Sequence, residues 1–255
     1  IYASNGLFDN SKQLLEDANR AYSLGFRVYK MRVIDPDTVS DLVKSFNKKF
    51  KNRMQLIVDA VQGSSANPWA TKVSINLAKK LEKEEIVFLE EPCRVENLNG
   101  YKEIKKYSTL NIAGAESIPT ARAFKKYLEE DVFDVLQFDI ATSGFIEGRR
   151  ICDLAYVHNK PVAIHSWGSA ISIMAGIHLG LTVPNVAFTE YCFMDHPINK
   201  ELFENKKIKI INGCTTQPNS HGLGVLFKDV LSKKFQYKEK INTMISTNND
   251  EIKLK

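Results

Sequence analysis

The chain has 255 residues, 44% of them hydrophobic, with 35 basic against 30 acidic side chains and a formal charge of +5. That length holds one large core, and a single barrel of about 250 residues is a standard solution at this size. The charges are scattered, the Lys-rich stretches 48–53 and 200–209 carry only a lone aromatic each (Phe50 and Phe203), and no long apolar run occurs, so neither a nucleic-acid surface, a membrane span nor a signal peptide is expected.

The cysteines, Cys93, Cys152, Cys192 and Cys214, form no CxxC pair. They read as reduced, packed thiols of a cytoplasmic protein and give no zinc signature. The first residue is Ile1 rather than Met and a strand-like run begins at once, the pattern expected of an ordered portion of a longer chain.

Along the chain, short apolar runs of β-branched character alternate with longer amphipathic segments. The expected strands are 1–3, 27–33, 54–59, 86–90, 110–115, 132–138, 161–165 and 187–191. Between the first two, Leu14, Leu15, Ala18 and Ala21 recur at helical spacing over 11–24, as do Ile75, Leu77 and Ala78 over 73–81. Eight strands separated by seven helices predict a TIM-type (β/α)7β barrel of parallel strands. An open doubly wound sheet would carry a Gly-rich phosphate turn after its first strand, and the turn here reads SNGLFDNS, without GxGxxG. The barrel and its return segment are expected over 1–230, followed by a polar tail over 231–255.

In such a barrel the catalytic groups come from the carboxyl ends of the strands, the rim that gathers distant parts of the chain around one point. Those ends are charged. Lys30 and Arg32 close the second strand, Asp59 the third and Glu90 the fourth, Glu116 follows the fifth, Asp139 the sixth, His165 ends the seventh and Glu190 lies in the eighth. An unpaired buried ion costs several kcal/mol, so the pattern points to a site. Asp59, Glu90 and Glu116, on consecutive strands, are expected to converge as hard oxygen ligands for Mg²⁺. Taken singly, each serves equally well as a helix cap. Glu91 should face the other way along its strand. Asp139 and His165 are expected to form a dyad in which His165 is the base. His158, His178, His196 and His221 read as structural. Gln62, Ser166, Trp167 and Tyr191 lie near the rim and fit pocket lining and packing equally, as do Tyr2, Ser4 and Asn5.

In their order and spacing, VDAVQG around Asp59, FLEEP around Glu90, AGAES around Glu116, FDIATSG around Asp139, HSWGSAI around His165, the Glu190 position and HGLG in the tail resemble the enolase superfamily, specifically its mandelate racemase-like subgroup. The resemblance covers nearly the whole chain. It implies a Mg²⁺-assisted site with a His or Lys base, in which Glu190 hydrogen-bonds the substrate carboxylate and Lys30 contacts the same group. It also implies an N-terminal capping domain, absent from this chain, and assembly as a dimer or octamer.

Three departures shape the expected chemistry. Lys30, Met31 and Arg32 stand where many relatives carry Lys-x-Lys, and a guanidinium, which keeps its proton far above neutral pH, is a poor base. Val61 stands where relatives often have an Asn that contacts a substrate hydroxyl. Ala141, Thr142 and Ser143 occupy the region of the lysine expected in the muconate cycloisomerase-like branch. With His165 as single base and Arg32 stabilising negative charge, the resemblance implies dehydration of a sugar acid to a 2-keto-3-deoxy acid through an enediolate. The alternatives are a racemase or epimerase of a 2-hydroxy acid on the same site, and a catalytically silent barrel acting as a binding module.

Overall fold

Alternating apolar and amphipathic segments become alternating strands and helices in a computed structural model that describes residues 1–33, 35–203, 208–216, 221–227 and 229–236. Part of the Lys-rich stretch 200–209, and residues 237–255 of the expected tail, lie outside these. In chain order the elements are β1 (Tyr2–Leu7), α1 (Ser11–Ser23), β2 (Val28–Arg32), α2 (Val39–Phe50), β3 (Gln55–Asp59), α3 (Thr71–Leu81), β4 (Ile86–Glu90), α4 (Leu98–Tyr107), β5 (Ile112–Gly114), α5 (Ala121–Glu129), β6 (Val135–Leu136), α6 (Ile140–Val157), β7 (Val162–Ile164), α7 (Ala170–Gly180), β8 (Val186–Cys192), α8 (Pro197–Leu202) and α9 (Asp229–Lys234). Each strand pairs in parallel with its neighbours in chain order, and β1 closes onto β8. This is the expected (β/α)7β barrel, with α8 and α9 following the last strand.

Strand lengths differ from the expected ones for local reasons. The first strand runs on to Leu7 because Ser4 pairs with Lys30 and Leu7 with Arg32 across a register shift. The sixth is shorter than its apolar run because Val132 and Phe133 belong to the turn before it. Val132 N bonds back to Tyr127 O, and the Phe133 ring lies against Tyr101 and Tyr127. Helix α9 crosses the expected 230/231 boundary and buries Leu231 beside Ala170 and Leu202.

Side-chain alternation sorts the wall into two faces. Outward-facing Tyr29, Met31, Leu56, Val58, Leu89, Leu136 and Ile164 meet Leu14, Val43, Phe46, Leu77, Ile104, Phe124 and Ile151 of the helices in the main core. Inward-facing Tyr2, Val28, Ile57, Phe88, Ala113, Val135 and Ala163 form a separate apolar cluster inside the barrel. Two residues further along every strand except β5, where Ala115 follows Ala113, the same inner face changes from apolar to polar, and that change positions the site. Cys93, Cys152 and Cys192 are buried as packing requires, whereas Cys214 is exposed, and all are unpaired. No helix among the described residues is long and apolar enough to cross a membrane.

Candidate active site

The deepest part of the site follows from strand alternation. Val28, Ile57, Phe88 and Phe188 face the apolar interior, so Lys30, Asp59, Glu90 and Glu190, each two residues on, face it one layer higher. The Lys30 ammonium lies 2.6 Å from Glu90 Oε1, 3.1 Å from Glu190 Oε1 and 3.3 Å from Asp59 Oδ2. Lys30, Glu90 and Glu190 are all 0% exposed. Burial alone pulls Lys30 down, but Glu190 and Glu90 outweigh it and hold the ammonium well above its ordinary range. Burial pushes Glu190 up, yet Lys30 and His165 overcome that and hold it at about 2. Glu90 goes the other way, pushed up to about 8 by burial and the Asp59 carboxylate despite Lys30.

Above this layer sits the imidazole. The Asp139 Oδ2–His165 Nδ1 distance is 2.7 Å, and Nε2 faces Glu116 Oε2 at 3.2 Å and Glu190 Oε2 at 3.4 Å. Asp139 is the N-cap of α6, and its Oδ1 accepts from Thr142 N at 2.7 Å and Thr142 Oγ1 at 2.9 Å. One carboxylate thus caps a helix with one oxygen and orients an imidazole with the other. Burial pulls His165 down, but Glu190, the Asp139 hydrogen bond and Glu116 raise it to about 9. Burial pushes Asp139 up, and its bonds to His165 and Thr142 more than reverse this. Burial raises Glu116 against the opposing pull of His165 and Lys30.

Arg32 lines the mouth in a fixed posture. Its guanidinium stacks on Trp167 at 4.0 Å, donates from Nη1 to Asn5 O and lies 3.6 Å from Asp59 Oδ2. Val61 N donates to Asp59 Oδ1 at 2.8 Å, which places Val61 at φ +54°, a left-handed conformation that a β-branched residue adopts under strain. Glu91 faces away from the interior as alternation requires. It is 3% exposed, and its carboxyl fills the space where a Cβ on Gly63 would stand.

Of the rim residues that fitted lining or packing, Ser166 and Trp167 belong to the site. Ser166 N donates to Glu190 Oε2 at 3.0 Å and its hydroxyl to Glu190 O at 2.6 Å. Tyr191 faces outward against Phe26. Gln62 braces the loop after β3, donating to Ala60 O and accepting from Trp69 N. His196 caps α8, and His158 follows the end of α6. Sequence reading overlooked Thr142 as the second partner of Asp139, although the Asp-x-x-Thr spacing is a capping signal. It also overlooked Gln137, a fully buried polar residue on the inner face.

Asp59, Glu90 and Glu116 supply the hard oxygens that Mg²⁺ prefers. Glu90 Oε2 is buried without a hydrogen bond, and the raised Glu90 marks a carboxylate cluster short of positive charge, so the donor set fits a divalent cation. As placed, Asp59 and Glu90 close on Lys30 while Glu116 closes on His165. Among the described residues, no three His, Cys, Asp or Glu side chains already converge on one point as a metal cage.

Known proteins similar to this chain include the arabinonate dehydratase of Saccharolobus solfataricus, 24% identical over 243 residues that cover 93% of this chain and 63% of that protein. The structure of the 3,6-anhydro-D-galactonate cycloisomerase from Zobellia galactanivorans superposes with a TM-score of 0.81 at 29% identity, over 93% of this chain and 66% of that one. A racemase from Streptomyces coelicolor A3(2) with bound magnesium has a TM-score of 0.75 at 24% identity, over 89% of this chain and 60% of that one. The chain thus spans 60–66% of the length of these three. Residues 13–230 match the family described as Enolase C-terminal domain-like, and with its closed barrel and mandelate racemase-like rim the chain belongs to that family, within the enolase superfamily.

Proposed function

We propose that this barrel removes the proton alpha to a carboxylate with the help of Mg²⁺, and that its reaction is the dehydration of a sugar acid to a 2-keto-3-deoxy acid. The observation that carries the reading is the His165 imidazole, tied to Asp139 through Nδ1 at 2.7 Å with Nε2 turned into the mouth. A carboxylate only accepts, so Nδ1 carries the proton when the ring is neutral and Nε2 is the bare nitrogen. Family membership and the likeness to an arabinonate dehydratase support the same reading.

Asp59, Glu90 and Glu116 would hold the Mg²⁺, an ion that the Streptomyces coelicolor racemase also binds. When bound, it supplies positive charge against the negative charge that builds on the substrate carboxylate. Lys30 brings a second positive charge to that carboxylate, and Glu190 donates a hydrogen bond to it in the protonated form that the incoming negative charge favours. His165 Nε2 accepts the α-proton, and the electrons of the broken C–H bond move towards the carboxylate as an enediolate. The imidazolium then donates its proton to the departing β-hydroxyl, so that C–O cleavage releases water and leaves an enol that tautomerises to the keto acid. Arg32 faces the substrate as a fixed positive charge. Racemisation or epimerisation needs a proton carrier on the opposite face, and the guanidinium is both a poor base and held by Trp167, Asn5 and Asp59. We further propose cytoplasmic action as a homo-oligomer, a dimer or octamer, on a free small-molecule acid.

The test is a screen of the full-length protein against aldonic and aldaric acids with Mg²⁺, reading keto-acid formation. Keto acid from at least one of them, lost in His165→Asn, is the expected result. Near wild-type turnover by His165→Asn rejects the assignment of the base. Deuterium incorporation with inversion and no keto acid selects the racemase, and absence of Mg²⁺ binding by the full-length protein selects the silent barrel.

A further inference from the structure

The inner layer that carries Lys30, Asp59, Glu90, His165 and Glu190 has one more polar member. Val135 belongs to the apolar cluster inside the barrel, so Gln137, two residues on, faces the same interior one layer higher. Its backbone is held on both sides of the wall, Gln137 N donating to Gly114 O at 2.9 Å and His165 N to the next carbonyl, Phe138 O, at 3.0 Å. The side chain is 0% exposed, and neither Oε1 nor Nε2 has a hydrogen-bond partner among the described residues. A buried carboxamide without partners is destabilising, and a methionine fills similar space without that penalty. Packing therefore does not account for an amide here, and its two polar atoms point to a partner inside the site.

A complementary atom lies on the same inner face. Glu90 Oε2, an acceptor when the carboxylate is ionised to hold a cation, is buried and likewise without a hydrogen bond, while Oε1 of the same carboxylate is drawn to Lys30 at 2.6 Å. Glu90 ends β4 and Gln137 follows β6. The strand between them, β5, presents Ala113 to the interior; Ala115 after it belongs to the outer core, and the Glu116 carboxylate that follows is drawn to His165 Nε2 at 3.2 Å. Two strand spacings amount to about 9–10 Å along the wall, a span that a glutamine and a glutamate share across an alanine.

We infer that Gln137 is a positioning residue of the metal site, its Nε2–H donating to Glu90 Oε2 and fixing which oxygen of that carboxylate is presented to the cation. The inference rests on the proposed binding of Mg²⁺ by Asp59, Glu90 and Glu116. It extends that site by a residue that acts through a ligand.

The test compares full-length wild type with Gln137→Met, which keeps length and volume and removes both hydrogen-bonding atoms. Titration calorimetry with Mg²⁺ alone is expected to show binding weakened about 10–100-fold, the usual effect of removing a partner of a metal ligand. The metal-free melting temperature is expected to be equal to or above that of the wild type, a combination that a merely structural role does not give. Equal Mg²⁺ affinity in both proteins overturns the role of Gln137 and leaves the metal site standing. Absence of Mg²⁺ binding by the wild type overturns both. Should the variant fail to fold, a crystal structure of the wild type with Mg²⁺ decides. Gln137 Nε2 within about 3 Å of Glu90 Oε2 supports the inference, and a separation beyond hydrogen-bond reach overturns it.

Discussion

Asp139 and His165 are joined twice, by a parallel bridge between their backbones and by the 2.7 Å contact between Oδ2 and Nδ1. The double link fixes both the place and the orientation of the imidazole. Removing the ring with His165→Asn is expected to lower exchange of the substrate α-proton in D₂O by about 10²–10⁴-fold, the usual contribution of a positioned base. Asp139→Asn keeps the ring but removes one of the groups that raise it. Its exchange rate is expected to drop, with the midpoint of the pH profile moving to lower pH. An unmoved midpoint would show that Asp139 does not act through His165.

Much of this site is written in the period-two pattern of the strands. Val28 then Lys30, Ile57 then Asp59, Phe88 then Glu90 and Ala163 then His165 each place a charge two residues beyond an interior apolar residue, which is why the rim is legible in the sequence. The pairings were not legible, because whether Lys30 meets Glu90, Asp59 or Glu190 depends on distances across the barrel that no local pattern carries. The same rule turns Tyr191 outward once Glu190 faces inward, a consequence that proximity to the rim obscured. Gln137 stayed hidden because it is uncharged and lies within the apolar run VLQF, which reads as core.

Arg32 is the residue on which dehydration and racemisation part. Its guanidinium is stacked on Trp167 and held by Asn5 O and Asp59, so it has a fixed posture but no free lone pair with which to accept a proton. With an accepted substrate in D₂O, the substrate recovered at partial conversion is expected to retain its configuration, because only the His165 face exchanges. Nuclear magnetic resonance of the recovered acid checks this, and appearance of the epimer would restore a second base. Arg32→Lys is expected to lower kcat/KM, since an ammonium reproduces neither the stack nor the fork of donors.

The strain at Val61 gives a prediction about stability. At φ +54° a β-branched side chain is costly by about 1–3 kcal/mol, yet the conformation brings Val61 N to within 2.8 Å of Asp59 Oδ1. Asparagine tolerates this region far better, so Val61→Asn is expected to raise the melting temperature by about 2–4 °C while leaving the bond to Asp59 in place. Val61→Gly relieves the same strain but loses more backbone entropy, so it is expected to gain less. Thermal unfolding of the three proteins side by side checks the order, and a Val61→Asn protein less stable than wild type would contradict it.

The carboxylate cluster also sets how stability responds to pH. Burial and Asp59 raise Glu90 from 4.5 to about 8, and Glu190 and Asp139 raise His165 from 6.5 to about 9 against the pull of burial. Both groups therefore keep a proton in the folded protein after the unfolded chain has released it, and stability falls as pH rises through those windows. For His165 the contribution is complete below 6.5 and is lost as pH passes about 9, while Glu90 is ionised against burial as pH approaches 8. Glu190, held at about 2, acts at the other end, where its contribution fades only as pH drops below 4.5. Between about pH 6.5 and 8 the first two effects coincide, each with a slope of at most about 1.4 kcal/mol per pH unit. In a metal chelator the melting temperature is expected to decline across that interval. With Mg²⁺ the decline is expected to be shallower, because the ion competes with the proton for Glu90, and for the same reason Mg²⁺ should bind more tightly at pH 8 than at pH 6.5. Scanning calorimetry with and without Mg²⁺ measures both effects, and a metal-free melting temperature that stays level across the interval would mean that Glu90 and His165 do not hold their protons in the folded barrel.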